Sequence, residues 1–138
     1  MADKIVTRLR AADHEDLAAL HEIAKQSGKV CEDGYFERCL AEQEEDRRVF
    51  LVAAFEAKLV GYAQLVWHPL YTSFRRLEIP EIQDPNVVPM ARRKGIGGWL
   101  IAACEDIAKS AGKKTIGISV GMDASYGQAQ RLYVQKGY

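Results

Sequence analysis

The chain has 138 residues, 48% apolar and 28% charged, which bounds it to one globular domain able to bury its own core. Its 19 basic and 19 acidic residues cancel, so it lacks the basic excess of a general nucleic-acid or membrane-surface binder. The three cysteines, Cys31, Cys39 and Cys104, have no C-x-x-C spacing, which argues against a disulfide framework or a zinc site and for a reducing compartment.

"MADKIVTRLR" has no apolar signal core, and no run approaches transmembrane length, so a cytoplasmic protein is expected. "KIVTRLR" alternates like a short strand. Asp13 is placed to cap a helix whose apolar face uses Leu17, Leu20, Ile23 and Ala24. Residues 34–46 read as a second helix with a solvated acidic end. "RVFLVAAFE" and "KLVGYAQLVW" read as a hairpin turning near residues 56–58. "HPLYTSFRRLEIP" reads as a loop, bounded by Pro69 and Pro80.

A fourth strand, "EIQDPNVV", is interrupted by Pro85, which cannot donate to a ladder and so implies a bulge or a splayed position. A helix follows over residues 97–110, with a core stripe of Ile96, Leu100, Ala103, Cys104, Ile107 and Ala111. Gly112 sits where a C-terminal glycine cap belongs. "KTIGISV" reads as a fifth strand, and residues 125–135 as a last helix with Ala129, Leu132 and Tyr133 on one face. The expected class is therefore a mixed α/β (α+β) domain in the order β-α-α-β-β-β-α-β-α.

The chemistry concentrates between the fourth strand and the helix after it. A strand feeding a glycine-rich turn and a helix start makes an anion site, because the first N–H groups of the helix have no internal partner. Arg92, Arg93 and Lys94 add full charges beside Gly95, Ile96, Gly97 and Gly98, a combination suited to a pyrophosphate. Neither G-x-x-x-x-G-K-[ST] nor G-x-G-x-x-G is present, which disfavours a nucleotide-phosphate binder.

What is present is R-x-x-G-x-G, through Arg92, Gly95 and Gly97. This resembles the acetyl-CoA-binding motif of the GNAT N-acetyltransferase superfamily. "AQRLYVQKGY" is similar to that superfamily's A-x-x-L-Y-x-K-x-G-[FY] helix, and the element order also follows it, so the resemblance covers nearly the whole chain. It implies a mixed, mostly antiparallel sheet whose fourth and fifth strands splay to admit the pantetheine arm of acetyl-CoA. Backbone groups of Asn86, Val87 and Val88 would then meet pantetheine and the acyl carbonyl, and residues 92–98 would cradle the pyrophosphate. Where the family often carries Asn as a CoA contact, this chain has Tyr126.

The implied activity is direct acetyl transfer to a primary amine of a small molecule or peptide. The amine must lose a proton and the thiolate gains from receiving one. By resemblance Tyr133 is the general acid, and Glu81, eleven residues before Arg92, is the base or an orienter of substrate. Asp84 is a weaker base candidate, since a bulge re-aims its side chain. His14, His21 and His68 form no pattern, and Cys104 falls on a buried stripe, where cysteine acts as a small hydrophobe. No metal is called for. A non-catalytic acyl-CoA-binding or regulatory module on the same fold is the alternative. Family members usually continue into further strands beyond the last motif. The 138 residues are therefore expected to be a single domain lacking its C-terminal strand or strands, with an open edge on "KTIGISV" that a second copy could cover.

Overall fold

A computed structural model describes residues 8–68, 79–91, 95–113, 115–118 and 131–133. Strand β1 (Arg8–Ala11) leads into a 3₁₀ turn (His14–Asp16) and helix α1 (Leu17–Gln26). Helix α2 (Tyr35–Glu44), strand β2 (Arg48–Phe55), strand β3 (Lys58–Val66) and strand β4 (Glu81–Val87) follow. A 3₁₀ turn (Pro89–Ala91) separates β4 from helix α3 (Ile96–Ser110), and strands β5 (Ile116–Ile118) and β6 (Arg131–Tyr133) complete the order.

The six strands lie in the sheet in chain order, and every described pairing is antiparallel except β4 with β5. The hairpin closes through Glu56 and Ala57, both with positive φ (55° and 68°), the twist-matched geometry of a two-residue hairpin turn. Asp13 begins the first helical region as expected. Its carboxylate accepts from the Glu15 N–H at 2.9 Å while Asp16 Oδ2 accepts from the Asp13 N–H at 2.8 Å, a reciprocal cap.

Side-chain alternation sorts the helices. Phe50 of β2 and Tyr62 of β3 face α2, their rings 5.6 Å apart and both against Phe36. Gly61, one residue out of phase, faces α3 and Leu100. The core therefore has two halves, one under α1 and α2 and the other under α3, with Ile96, Leu100, Cys104 and Ala108 buried. Ala103 and Ile107 border that stripe, while Ala111 is exposed, one residue past the helix. Gly112, at φ 85°, terminates α3 as expected.

One expectation is corrected. Within the span expected to be a last helix, Arg131–Tyr133 is a strand, antiparallel to β5 through Ile116↔Tyr133, Gly117↔Leu132 and Ile118↔Arg131. The edge of β5 expected to be open is thus occupied. A run as short as "RLY" has no decisive local period, and the unpaired ladder groups of a rim strand favour pairing.

Candidate active site

The site is built around a fault in β4. Gln83 stands opposite Gln64 and Asn86 opposite Tyr62, so Asp84 and Pro85 together oppose a single residue of β3. This is the bulge that Pro85 implies. Asp84 carries it at φ 57°, a left-handed conformation that aspartate tolerates better than most residues.

The bulge changes which backbone groups face which way. The Val88 N–H donates to the Val60 carbonyl at 2.8 Å, so Val88 and Val60 form a bonded pair. Alternation makes Gly61↔Val87 the narrow, non-bonded pair, with the N–H and C=O of Val87 turned away from β3 toward the β5 side. Before the bulge the phase is opposite. Pro80 presents its carbonyl to β5, accepting from the Gly117 N–H at 2.9 Å, and β4 pairs with β5 at Glu81↔Gly117 and Ile82↔Ile118. Both backbone groups of Val88 are already bonded, since its carbonyl accepts from the Ala91 N–H at 3.0 Å. Asn86 directs its side-chain Nδ2 to the Tyr62 hydroxyl at 3.2 Å.

The start of α3 lies against this segment. A Cβ on Gly97 would sit 3.8 Å from Val87 Cγ2, whereas one on Gly98 would meet nothing within 4 Å. Gly95 holds the N-cap at φ 82°, and no side chain caps the helix. Ile96 is buried and anchors the turn from inside. The structure thus brings Val87, Gly97 and the open first turn of α3 together. Arg92, Arg93, Lys94 and Tyr126 lie outside the described residues. Gly61 matters for a reason the sequence did not flag. A Cβ there would lie 2.8 Å from the Asn86 carbonyl oxygen and 3.1 Å from Val87 Cγ2, so only glycine permits this approach.

Glu81 begins β4, is 2% exposed, and accepts from Gln83 Nε2 at 2.8 Å, as their shared strand face requires. Tyr133 lies in β6 opposite Ile116 rather than on a helix, and its neighbour Leu132 is the residue that stands across Gly117 from Glu81. Cys104 is fully buried, and burial pushes its thiol up to about 12, so it stays a protonated core residue. His68 is exposed.

Sequence reasoning missed a polar chain that ends at the bulge. Asp84 accepts from Lys29 Nζ at 2.7 Å and from the Tyr35 hydroxyl at 3.2 Å. Tyr35 accepts in turn from Gln64 Nε2 at 2.9 Å, and Gln64 from Arg48, whose Nε donates to Glu42 at 2.9 Å. Burial, opposed by Lys29 and Tyr35, raises the Asp84 carboxyl above the usual range. Burial and the Asp84 charge raise the Tyr35 and Tyr62 hydroxyls too, so both stay protonated donors at neutral pH. The available signal was Gln64, a polar residue inside the apolar run "KLVGYAQLVW".

A pocket of about 100 Å³, lined by Ile23, Lys58, Leu59, Val60 and Val88 among others, opens between α1 and the hairpin. It is smaller than the few hundred Å³ of an ordinary ligand site, and it lies on the bonded side of Val88. Among the described residues no group of three His, Cys, Asp or Glu is placed to hold a metal, and no helix is long and apolar enough to cross a membrane.

Comparison with known proteins fits this geometry. The chain is 34% identical over 98 residues to an uncharacterized N-acetyltransferase, YhfO, of Bacillus subtilis (strain 168). That match spans 71% of this chain and 63% of the relative's length. The fold is similar to the PaiA N-acetyltransferase of Thermoplasma acidophilum, solved in complex with coenzyme A (TM-score 0.64, 21% identity, 90% of this chain and 85% of that one). It is also similar to a GNAT family acetyltransferase of Brucella melitensis, solved in complex with acetyl-CoA (TM-score 0.65, 14% identity, 94% and 88%). The profile of the Acetyltransferase (GNAT) family matches residues 15–138, so the chain belongs to the GNAT acetyltransferase family.

Proposed function

We propose that the chain is an N-acetyltransferase that moves an acetyl group from acetyl-CoA to a primary amine of a small molecule or peptide. The observation that carries this reading is the juxtaposition of Val87, turned away from β3 by the bulge, with the uncapped, glycine-lined start of α3. One segment turns strand backbone toward the β5 side, along which an extended arm would lie, and the other places N–H groups at a helix start that suits phosphates.

Acetyl-CoA supplies an activated acyl carbon, and the rest falls to the chain. Val87, whose backbone points toward the β5 side, faces the pantetheine arm, with Asn86 and Val88 flanking it on either side. The first-turn N–H groups of Ile96, Gly97 and Gly98, with Arg92, Arg93, Lys94 and the turn at Gly95, hold the pyrophosphate. Tyr126 contacts CoA in place of the family's asparagine. Glu81 takes the proton that the amine must lose before its nitrogen attacks the acyl carbon. As the carbon–sulfur bond breaks, Tyr133 donates its hydroxyl proton to the leaving thiolate and regains one from the nitrogen, which sheds its second proton as it becomes an amide, while Glu81 releases its own proton to solvent.

The test is release of CoA thiol from acetyl-CoA over a panel of primary amines, with Glu81→Gln and Tyr133→Phe alongside. Turnover with at least one amine, falling about 10²-fold or more in each variant while acetyl-CoA still binds, is the expected result. Tight acetyl-CoA binding with no turnover on any amine would instead identify a non-catalytic acyl-CoA module.

A further inference from the structure

We propose that Lys29, Tyr35 and Asp84 form a clamp that holds the β4 bulge, making all three positioning residues for acetyl-CoA. The inference rests on the acetyltransferase reading and adds to it a set of residues that never touch the reacting atoms.

Four described residues other than glycine have positive φ: Asp46, Glu56, Ala57 and Asp84. The first three are exposed and lie in turns. Asp84 is 6% exposed and lies inside a strand. A left-handed residue within a ladder needs its surroundings to hold it there. The surroundings here are two donors from the opposite layer. Lys29, in the loop after α1, reaches the carboxylate at 2.7 Å, and Tyr35, at the start of α2, reaches it at 3.2 Å. Tyr35 is itself fixed through Gln64, Arg48 and Glu42, so the anchor leads back to β2 and α2.

The consequence for β4 follows from register. With Gln83 opposite Gln64, an unbulged β4 would place Pro85 opposite Tyr62 and Val87 opposite Val60. Val60 bonds its strand partner, so the groups of Val87 would then turn inward to β3, and those of Asn86 and Val88 outward. The extra residue reverses this, so the clamp decides which residue faces the cofactor side.

The experiment uses the whole chain with Tyr35→Phe, Lys29→Met and Lys29→Arg. The first reading is nuclear magnetic resonance of residue 84, whose chemical shifts and three-bond coupling report its φ without any ligand. The second is the steady-state KM and kcat for acetyl-CoA, with the amine KM as control. Loss of the left-handed signature in Lys29→Met is expected, with about a tenfold rise in acetyl-CoA KM and less than about twofold change in kcat. Tyr35→Phe is the milder variant and should follow in part, while Lys29→Arg should restore both readings. A folded Lys29→Met or Tyr35→Phe with a lower melting temperature but unchanged φ and KM overturns the clamp, leaving these residues structural. A fall in kcat at unchanged KM also overturns it, because Asp84 would then act as a base. A wild-type chain that turns over no amine defeats the functional reading, while the residue 84 signature still decides whether the clamp exists.

Discussion

Asp16 and Asp84 are equally buried aspartates, each 6% exposed and each with a cationic partner within 2.8 Å, yet their carboxyls shift in opposite directions. The bidentate Arg10 guanidinium pulls Asp16 below the usual range. Burial pushes Asp84 above it, with Lys29 opposing. Desolvation dominates at Asp84, deep under the α1–α2 layer, whereas at Asp16 the hydrogen bonds from Arg10 and the Asp13 N–H outweigh it, and the partners differ in the same sense. The Arg10 side chain is 49% exposed, so that pair keeps one member hydrated. Lys29 is 14% exposed, so both members of the second pair have left water. A hydrated pair at a helix start adds to stability, whereas a pair inside the sheet-helix interface carries desolvation that its attraction does not clearly offset. The first pair is explained by the cap it makes. The second, at a strained bulge, calls for a role beyond stability.

Removing one cation at a time should give the largest contrast. Lys29→Met strands a carboxylate in the interior and should cost about 3 kcal/mol by urea unfolding at neutral pH. Arg10→Met should cost about 1 kcal/mol, because Asp16 retains the Asp13 N–H and solvent lies nearby. Equal losses would mean that the two pairs are energetically alike. Adding Asp84→Asn to Lys29→Met removes the stranded charge and should recover most of the loss, without recovering acetyl-CoA affinity.

A second, smaller effect separates the bulge's shape from its charge. Gly61→Ala places a methyl 2.8 Å from the Asn86 carbonyl oxygen, where backbone has to move. Overpacking of this kind costs about 1–3 kcal/mol. The displacement falls on Asn86 and Val87, so acetyl-CoA affinity measured by calorimetry should fall in Gly61→Ala with Lys29 and Asp84 untouched. Unchanged affinity in the folded variant would show that the position of Val87 relative to β3 does not matter.

The sequence made some of this legible and hid the rest for identifiable reasons. The Asp13 cap, the hairpin turn, the bulge at Pro85 and the glycine stop at Gly112 are local, set by residues within a few positions of each other. The partnership of Lys29 with Asp84 spans 55 residues and depends on packing of the α1–α2 loop over the sheet, which no local period encodes. Tyr35 stands at a helix start and Gln64 inside a strand, positions that carry no local sign of a shared polar chain. Within the expected last helix, residues 131–133 pair with the edge of β5, a long-range partnership that no local period encodes. Glu81 and Val87 were reachable only because family resemblance pointed to their positions. Their backbone phase needed the β3 register.

The smallest expected effect is the most direct test of the opposite shifts. Asp16 in the folded state releases its proton more readily than in the unfolded chain, so its ionisation stabilises the fold. That contribution is present above the ordinary aspartate value, about 4, and is lost as pH falls through the lowered folded-state value. Asp84 has the reverse sign. Its folded-state value is raised, so its contribution is full below about 4 and is lost as pH rises through the folded-state value. Subtracting the unfolding free energy of Asp16→Asn from that of the wild type should give a difference that rises with pH in the acid range. The same subtraction with Asp84→Asn should give one that falls as pH rises above about 4. Asparagine suits both sites sterically and tolerates the left-handed backbone at residue 84, so each difference isolates one titration. Urea unfolding between about pH 2.5 and 7 measures both curves. Two curves of the same slope would mean that Lys29 outweighs burial at Asp84, and the pair at the bulge would then need no explanation beyond its own stability.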